Sequence, residues 1–250
     1  MIGSREWMNL SNGKLNFKEK TQLIKQVLVP ATLNYSKTLI RQSKNPQHFE
    51  LKNIQIPDTS IVKEAILELE NTQNRAIIHH SWRSYIWGVA IAQIHDWQFD
   101  EESLLIASLM HDLGLIEHLE HYSCQCFTFE SALRSESLCA KHHYPKDRTD
   151  NISNAICLHM DGHLDKNNQN LSKEVLLLQK ATSCDVIGTD LGQLSIAFKD
   201  EVLSHYPRSN FNSTFKKLLK TESKKKPDSR TALLSKLGLP LMISMNAFKE

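Results

Sequence analysis

The chain has 250 residues, with 30 Lys and Arg against 28 Asp and Glu, so a net charge of +2 gives no overall bias toward nucleic acid or an anionic membrane. Its 8 glycines and 7 prolines are heavily outnumbered by Leu, Ile and Ala, and no period-two alternation is evident, which points to an all-α architecture able to bury a sizeable core. No run approaches the roughly 18 apolar residues of a membrane span. The N-terminus lacks a charged segment followed by an apolar signal core. The 5 cysteines, odd in number and scattered, do not read as a disulfide framework. A cytoplasmic protein is expected.

Residues 1–56 read as an arm without a chemical motif. Lys18 to Leu28 is charged and aliphatic, Val29-Pro30 interrupts it, and Ser43-Lys44-Asn45-Pro46 is loop chemistry. Pro57-Asp58-Thr59-Ser60 opens a core spanning 57–205, with helices expected near 60–74, 77–95, 101–113, 127–143, 150–161 and 173–187. None sustains a heptad repeat, so the predicted packing is an orthogonal bundle rather than a coiled coil.

Residues 206–250 form a basic and apolar tail. Phe211, Phe215, Leu218 and Leu219 make a stripe with Lys216, Lys217 and Lys220 off it. Lys224-Lys225-Lys226 reads as a solvated face, the alternative being a phosphate or membrane-surface patch. Leu233 to Leu241 and Met242 to Phe248 are apolar enough to pack on the bundle or on a partner subunit, leaving a homo-oligomer open.

The chemistry centres on Ser108-Leu109-Met110-His111-Asp112-Leu113-Gly114. Asp100 is placed to cap the helix before it, Glu101 and Glu102 suit the positive end of its dipole, and Gly114 is expected to supply the left-handed residue after its last turn. His111 shares a stripe with Leu104 and Ser108, while Asp112 lies beside Leu105 and Leu109, so both point inward. A buried carboxylate requires a partner, which is either a neighbouring His or Arg that closes the helix, or a metal. Upstream, His80 lies on one stripe with Ser84, Trp87 and Ile91. Downstream, Asp185 follows Val175, Leu178 and Thr182, just ahead of Gly188. His80, His111, Asp112 and Asp185 make two imidazoles and two carboxylates, a set suited to one divalent transition metal per chain: zinc first, with iron, manganese or cobalt as alternatives.

That order, a histidine, an adjacent His-Asp pair and a later aspartate, resembles the HD-domain metallohydrolases. His80-Ser81-Trp82-Arg83-Ser84-Tyr85, Phe129-Glu130, Ala155-Ile156-Cys157-Leu158-His159, Cys184-Asp185-Val186-Ile187-Gly188, Tyr206-Pro207-Arg208 and Lys226-Pro227 resemble motifs of the HD-type cyanamide hydratases and their bacterial relatives. The resemblance runs from about residue 55 to the end of the sequence. It implies an HD-domain orthogonal helical bundle in which a metal activates water for addition to a small molecule, in its sharpest form cyanamide to urea. Phosphoester hydrolysis is the alternative, and a non-catalytic regulatory module using the basic tail is a second. Many phosphohydrolase members carry Lys or Glu three residues after the aspartate of the pair; Leu115 stands there in this chain, which leans away from phosphate.

His159 shares a stripe with Ile152, Ala155 and Ile156; the stripe alone allows a core histidine, while the resemblance puts it beside the substrate as a proton carrier. Arg83 is read as neutralising an anion or orienting a carboxylate such as Glu130 or Asp112, and Glu130 as an acceptor for a liganding imidazole. His79 points about 100° away from His80 and is not expected to ligate. His142 and His143 suit the end of a helix, although His143 and His159 are also the candidates for a second metal. Cys124 and Cys126 lack a second thiolate pair at zinc-finger spacing and are expected to be structural.

Overall fold

The computed structural model describes residues 1–25, 45–116 and 124–248. The later part of the charged and aliphatic stretch from Lys18 to Leu28, the Val29-Pro30 break, and Ser43 and Lys44 lie outside the described residues. Among the described residues the architecture is all-α, and the only extended pairing is an isolated bridge between Gln47 and Leu194.

Two short helices come first, α1 (Arg5–Ser11) and α2 (Phe17–Leu23), the second closed at its start by a capping box between Asn16 and Glu19. The bundle follows as α3 (Ser60–Asn71), α4 (Arg75–His95), α5 (Glu101–Met110), α6 (Leu113–Ile116), α7 (Phe127–Lys141), α8 (Lys146–Leu158) and α9 (Lys173–Ile187). Next come α10 (Ile196–His205), α11 (Phe211–Lys225), α12 (Arg230–Lys236) and α13 (Leu239–Ser244).

At the centre, α4 packs along α9 and α5, and α8 packs along α7 and α9. The reason is visible in α4: from Ala76 to Ala92 it is buried on nearly every face, so it must be surrounded. Asn74 caps its start through its side chain, and Asp96 ends it in the left-handed conformation at φ 53°. α5 is equally enclosed, buried from Ser103 through Met110, and Asp100 caps it by accepting from the Ser103 amide, as the sequence anticipated.

The helix predicted over 101–113 does not run through. It ends at Met110, His111 and Asp112 occupy a two-residue turn, and α6 begins at Leu113. Gly114 accordingly does not close a helix in the left-handed region; it lies inside α6, pressed on α7. A Cβ there would meet the Phe127 carbonyl oxygen at 2.5 Å and Glu130 Cβ at 2.9 Å. Close approach of two helices is what this glycine permits.

The tail returns to the bundle. α11 packs against α4 and α6, with Phe211, Phe215 and Leu219 buried in a cluster that also holds Ile77, Leu115, Phe127 and Val186. Lys226 departs from the expected solvated run: it is buried, 3.1 Å from Glu222 and 3.5 Å from Glu130, while Lys224 and Lys225 are exposed. All five cysteines are buried and free. Among the described residues no helix is long and apolar enough to cross a membrane.

Candidate metal centre

His80 (α4), the His111-Asp112 turn and His159 at the end of α8 converge in the interior, each at most 5% exposed. His111 and His159 arrive by the same device. Each is the residue that follows the last turn of a helix, and each donates its Nδ1 hydrogen to the carbonyl oxygen three residues earlier, Ser108 and Ile156 respectively, both at 2.7 Å. A carbonyl only accepts, so the proton is assigned to Nδ1 and Nε2 keeps its lone pair. His80 reaches the same state by donating Nδ1–H to Asp185 Oδ2 at 2.7 Å.

Three lone-pair nitrogens therefore face inward. His80 Nε2 and His111 Nε2 are 3.1 Å apart, and Asp112 lies among them, Oδ2 3.4 Å from His111 Nε2 and 3.6 Å from His80 Nε2, Oδ1 3.7 Å from His159 Nε2. Neither Asp112 oxygen receives a hydrogen bond from the described residues, although the side chain is buried. Two nitrogen lone pairs face to face, beside a buried carboxylate without donors, are an arrangement that a cation between them stabilises. Among the described residues, His80, His111 and Asp112 form the group whose donor atoms lie close enough to hold one ion. The donor set is mixed nitrogen and oxygen, which suits a divalent transition metal.

Electrostatics agree with neutral imidazoles at His111 and His159. Burial pushes the His111 pKa below its ordinary value, with Asp112 opposing. Burial, reinforced by His111, pushes His159 well below.

Asp185 stands apart from the carboxylate role expected of it. Its Oδ1 accepts from Arg83 Nε at 2.8 Å and Trp87 Nε1 at 2.9 Å, and its Oδ2 from Arg83 at 2.8 Å and from His80. Burial would raise its pKa, but the Arg83 guanidinium overrides this and holds it well below the usual carboxylate range. Its oxygens are thus spent on four donors, and it contacts the cluster through the far nitrogen of His80. Arg83 pairs with Asp185 rather than with Glu130 or Asp112, because the one-turn spacing from Arg83 to Trp87 lets both reach the same carboxylate. Glu130 faces Lys226, and the Nδ1 atoms of the three imidazoles are engaged elsewhere.

His79 turns away, its Nδ1 2.8 Å from the Pro207 carbonyl oxygen. His142 bonds Glu64, and His143 is exposed beyond α7 whereas His159 is buried, and among the described residues the two are not part of one group able to hold an ion.

Several contributors escaped the sequence reading. Trp87 is a donor to Asp185, and Arg208 Nη1 donates to the Asp185 backbone carbonyl at 3.0 Å. Phe211 stacks on His80 with centroids 4.5 Å apart. A cavity of about 90 Å³ opens beside the cluster, reached by His80, Asp112 and His159 and walled by Met160, Val186, Phe215, Leu234, Leu239 and Met242 among others. At its rim Asp161 is bonded to Arg230, though burial still pushes its carboxyl pKa up to about 6. Only pattern could have flagged the tail residues, since stripes of Phe and Leu read equally as ordinary core.

Residues 77–187 match the family model described as HD domain. The His, His-Asp geometry just described lies inside that match, and the two together support an HD-domain protein of the metal-dependent hydrolase class. The chain is close to the cyanamide hydratases: it is 26% identical to cyanamide hydratase DDI2 of Saccharomyces cerevisiae over 165 residues, 63% of this chain and 70% of that protein. It is equally similar, over the same span, to cyanamide hydratase DDI3 of the same yeast.

Proposed function

We propose that the protein adds water to an electrophilic carbon of a small neutral molecule, with cyanamide hydration to urea as the specific form. The observation that carries this reading is the composition of the cavity beside the cluster: among the described residues its wall contains His80, Asp112 and His159 but no Lys or Arg. A phosphate ester brings at least one negative charge and is bound by cationic side chains. The arginines nearest this region, Arg83, Arg208 and Arg230, are directed at Asp185 or Asp161 instead. This wall offers a phosphoester no cationic side chain, which favours the neutral substrate, and the similarity to cyanamide hydratases points the same way.

His80, His111 and Asp112 would hold the metal, which when bound supplies Lewis acidity toward water or the substrate. Asp185 acts behind them, fixing the tautomer and orientation of His80 and itself fixed by Arg83 and Trp87. His159 is held neutral by burial with its Nε2 lone pair directed at Asp112, so it accepts a proton from water at Nε2 and returns it to the substrate nitrogen. Water oxygen bonds to carbon, the two hydrogens end on nitrogen after tautomerisation, and cyanamide plus water balances as urea.

The test is elemental analysis of wild type and Asp112→Ala alongside urea formation from cyanamide. About one transition metal per wild-type chain, lost with urea production in the variant, is the expected result. Metal retained by wild type with release of phosphate from nucleotides and no urea would overturn it.

A further inference from the structure

We infer that Asp161 selects the substrate by accepting a hydrogen bond from its amino group, so that the site takes a nitrile with an N–H on the atom next to the reacting carbon and discriminates against an alkyl nitrile of the same size. The reacting group is taken from the reaction proposed above; the acceptor is read from the cavity. At about 90 Å³ the space equals about three waters, so a molecule of three non-hydrogen atoms fits it and its N–H groups meet wall atoms instead of bulk water. A donor that leaves water and finds no acceptor there weakens binding.

Asp161 has an acceptor to spare. Its side chain is buried, and its Oδ1 takes a hydrogen bond from Arg230 Nη1, whose guanidinium compensates the charge. Its Oδ2 receives no hydrogen bond from the described residues. Unlike the Asp112 oxygens, that atom is not enclosed either, so it opens on free space. Asp161 borders this cavity and a second space of about 10 Å³, which is at the limit for a single water. Chain connectivity keeps the carboxylate near the reacting centre. His159, Met160, Asp161 and Gly162 all line the cavity, and with about 3.8 Å between consecutive Cα atoms the Asp161 Cα lies within about 8 Å of that of His159. The other acceptors on the wall have partners or tasks. His80 and Asp112 would hold the metal, and His159 Nε2 carries the proton. The Thr182 hydroxyl donates to the Leu178 carbonyl oxygen at 2.9 Å, and Ser183 Oγ accepts from Gln179 at 3.1 Å. A carboxylate oxygen is also the strongest acceptor of an N–H among these groups.

NMR titration of the purified protein with urea and acetone reads the acceptor without turnover, since both carry the same carbonyl and the same number of non-hydrogen atoms, and acetone has methyl where urea has amino. In Asp161→Asn the amide oxygen faces Arg230 and the NH2 group takes the place of Oδ2, a donor opposite a donor. The ratio of urea affinity to acetone affinity should therefore fall about tenfold or more, with acetone unchanged. The KM for cyanamide should rise by a similar factor, with kcat little altered. A merely structural role would weaken both ligands alike. If the variant does not fold, Asp161→Asn with Arg230→Gln, which removes both charges of the pair together, takes its place. An unchanged ratio, equal weakening of the two ligands, or no saturable binding of urea to wild type would each overturn the inference. A ratio that falls in a protein that makes no urea from cyanamide would remove the proposed reaction and leave the acceptor standing. Urea formation with an unchanged ratio would do the reverse.

Discussion

Asp185 Oδ2 lies 2.7 Å from His80 Nδ1, while His80 Nε2 lies 3.1 Å from His111 Nε2, so one imidazole links the carboxylate to the metal cluster through its two nitrogens. The carboxylate is in turn the shared acceptor of Arg83 and Trp87, both from the helix that carries His80. Charge balance in this fully buried set depends on every member. Arg83→Met or Asp185→Leu leaves an uncompensated buried charge, and each single variant should lose about 3–5 kcal/mol of unfolding free energy. The double variant should lose clearly less than the sum, measured by denaturant titration with the slope held common.

Asp112 makes the opposite prediction in the metal-free protein. Its buried oxygens lack donors among the described residues, so the folded state bears their desolvation. Asp112→Asn should stabilise the metal-free protein by about 1–2 kcal/mol, because an amide carries less desolvation cost and can donate to a neighbouring Nε2. The same variant should abolish metal binding, and a thermal melt with and without added zinc separates the two effects.

Stability should also depend on pH in a stated direction. Burial depresses the pKa values of His111 and His159 in the folded protein, so below the ordinary histidine value near 6.5 the unfolded chain binds more protons than the folded one. The metal-free protein should therefore lose stability as pH falls from about 7.5 to 5, by up to about 1.4 kcal/mol per pH unit for each histidine. His159→Gln should flatten that slope. Asp185 is depressed in the folded state, so its contribution is complete above the ordinary carboxylate range and is lost only as pH falls through its lowered folded value; it does not shape the limb above pH 5.

Gly114→Ala tests the seat of the metal turn. The new methyl would stand 2.5 Å from the Phe127 carbonyl oxygen and 3.0 Å from the Ser131 amide nitrogen, which are backbone atoms that cannot rotate aside. A loss of about 1–3 kcal/mol is expected, together with weaker metal binding, since α6 begins one residue after Asp112. Unfolding midpoint and a metal titration on the same preparation check both.

The inward direction of His80, His111 and Asp112 was legible because helical spacing puts each on a stripe of aliphatic residues, and direction on a helix follows from spacing alone. What spacing does not carry is the neighbour across a gap. Arg83 and Asp185 are far apart in sequence, and nothing local distinguishes an arginine that meets Asp185 from one that meets Glu130. Lys226 reads as one of three solvated lysines, yet Glu130 from α7 and Glu222 from its own helix bury it. The interruption at His111-Asp112 was hidden for a related reason: Leu113 and Leu115 continue the apolar pattern through the turn, and only contact of α6 with α7 reveals the new direction. The repeated use of Nδ1 on an i−3 carbonyl, at His111 and His159, has a sequence trace in a histidine closing an apolar helix, and it was read as orientation without the tautomer that follows.

The cavity wall comes from the latest part of the fold, with Phe215, Leu234, Leu239 and Met242 in its lining and Asn246 Nδ2 donating to the Asp185 carbonyl oxygen at 2.7 Å. During synthesis the residues of the metal cluster leave the ribosome well before these helices. Until α11 to α13 have emerged and docked, His80 lacks the Phe211 ring stacked on it and the cavity lacks these wall residues. A nascent chain stalled after α9 would thus present its imidazoles to any available metal before that wall is in place, so ion loading can precede closure of the pocket.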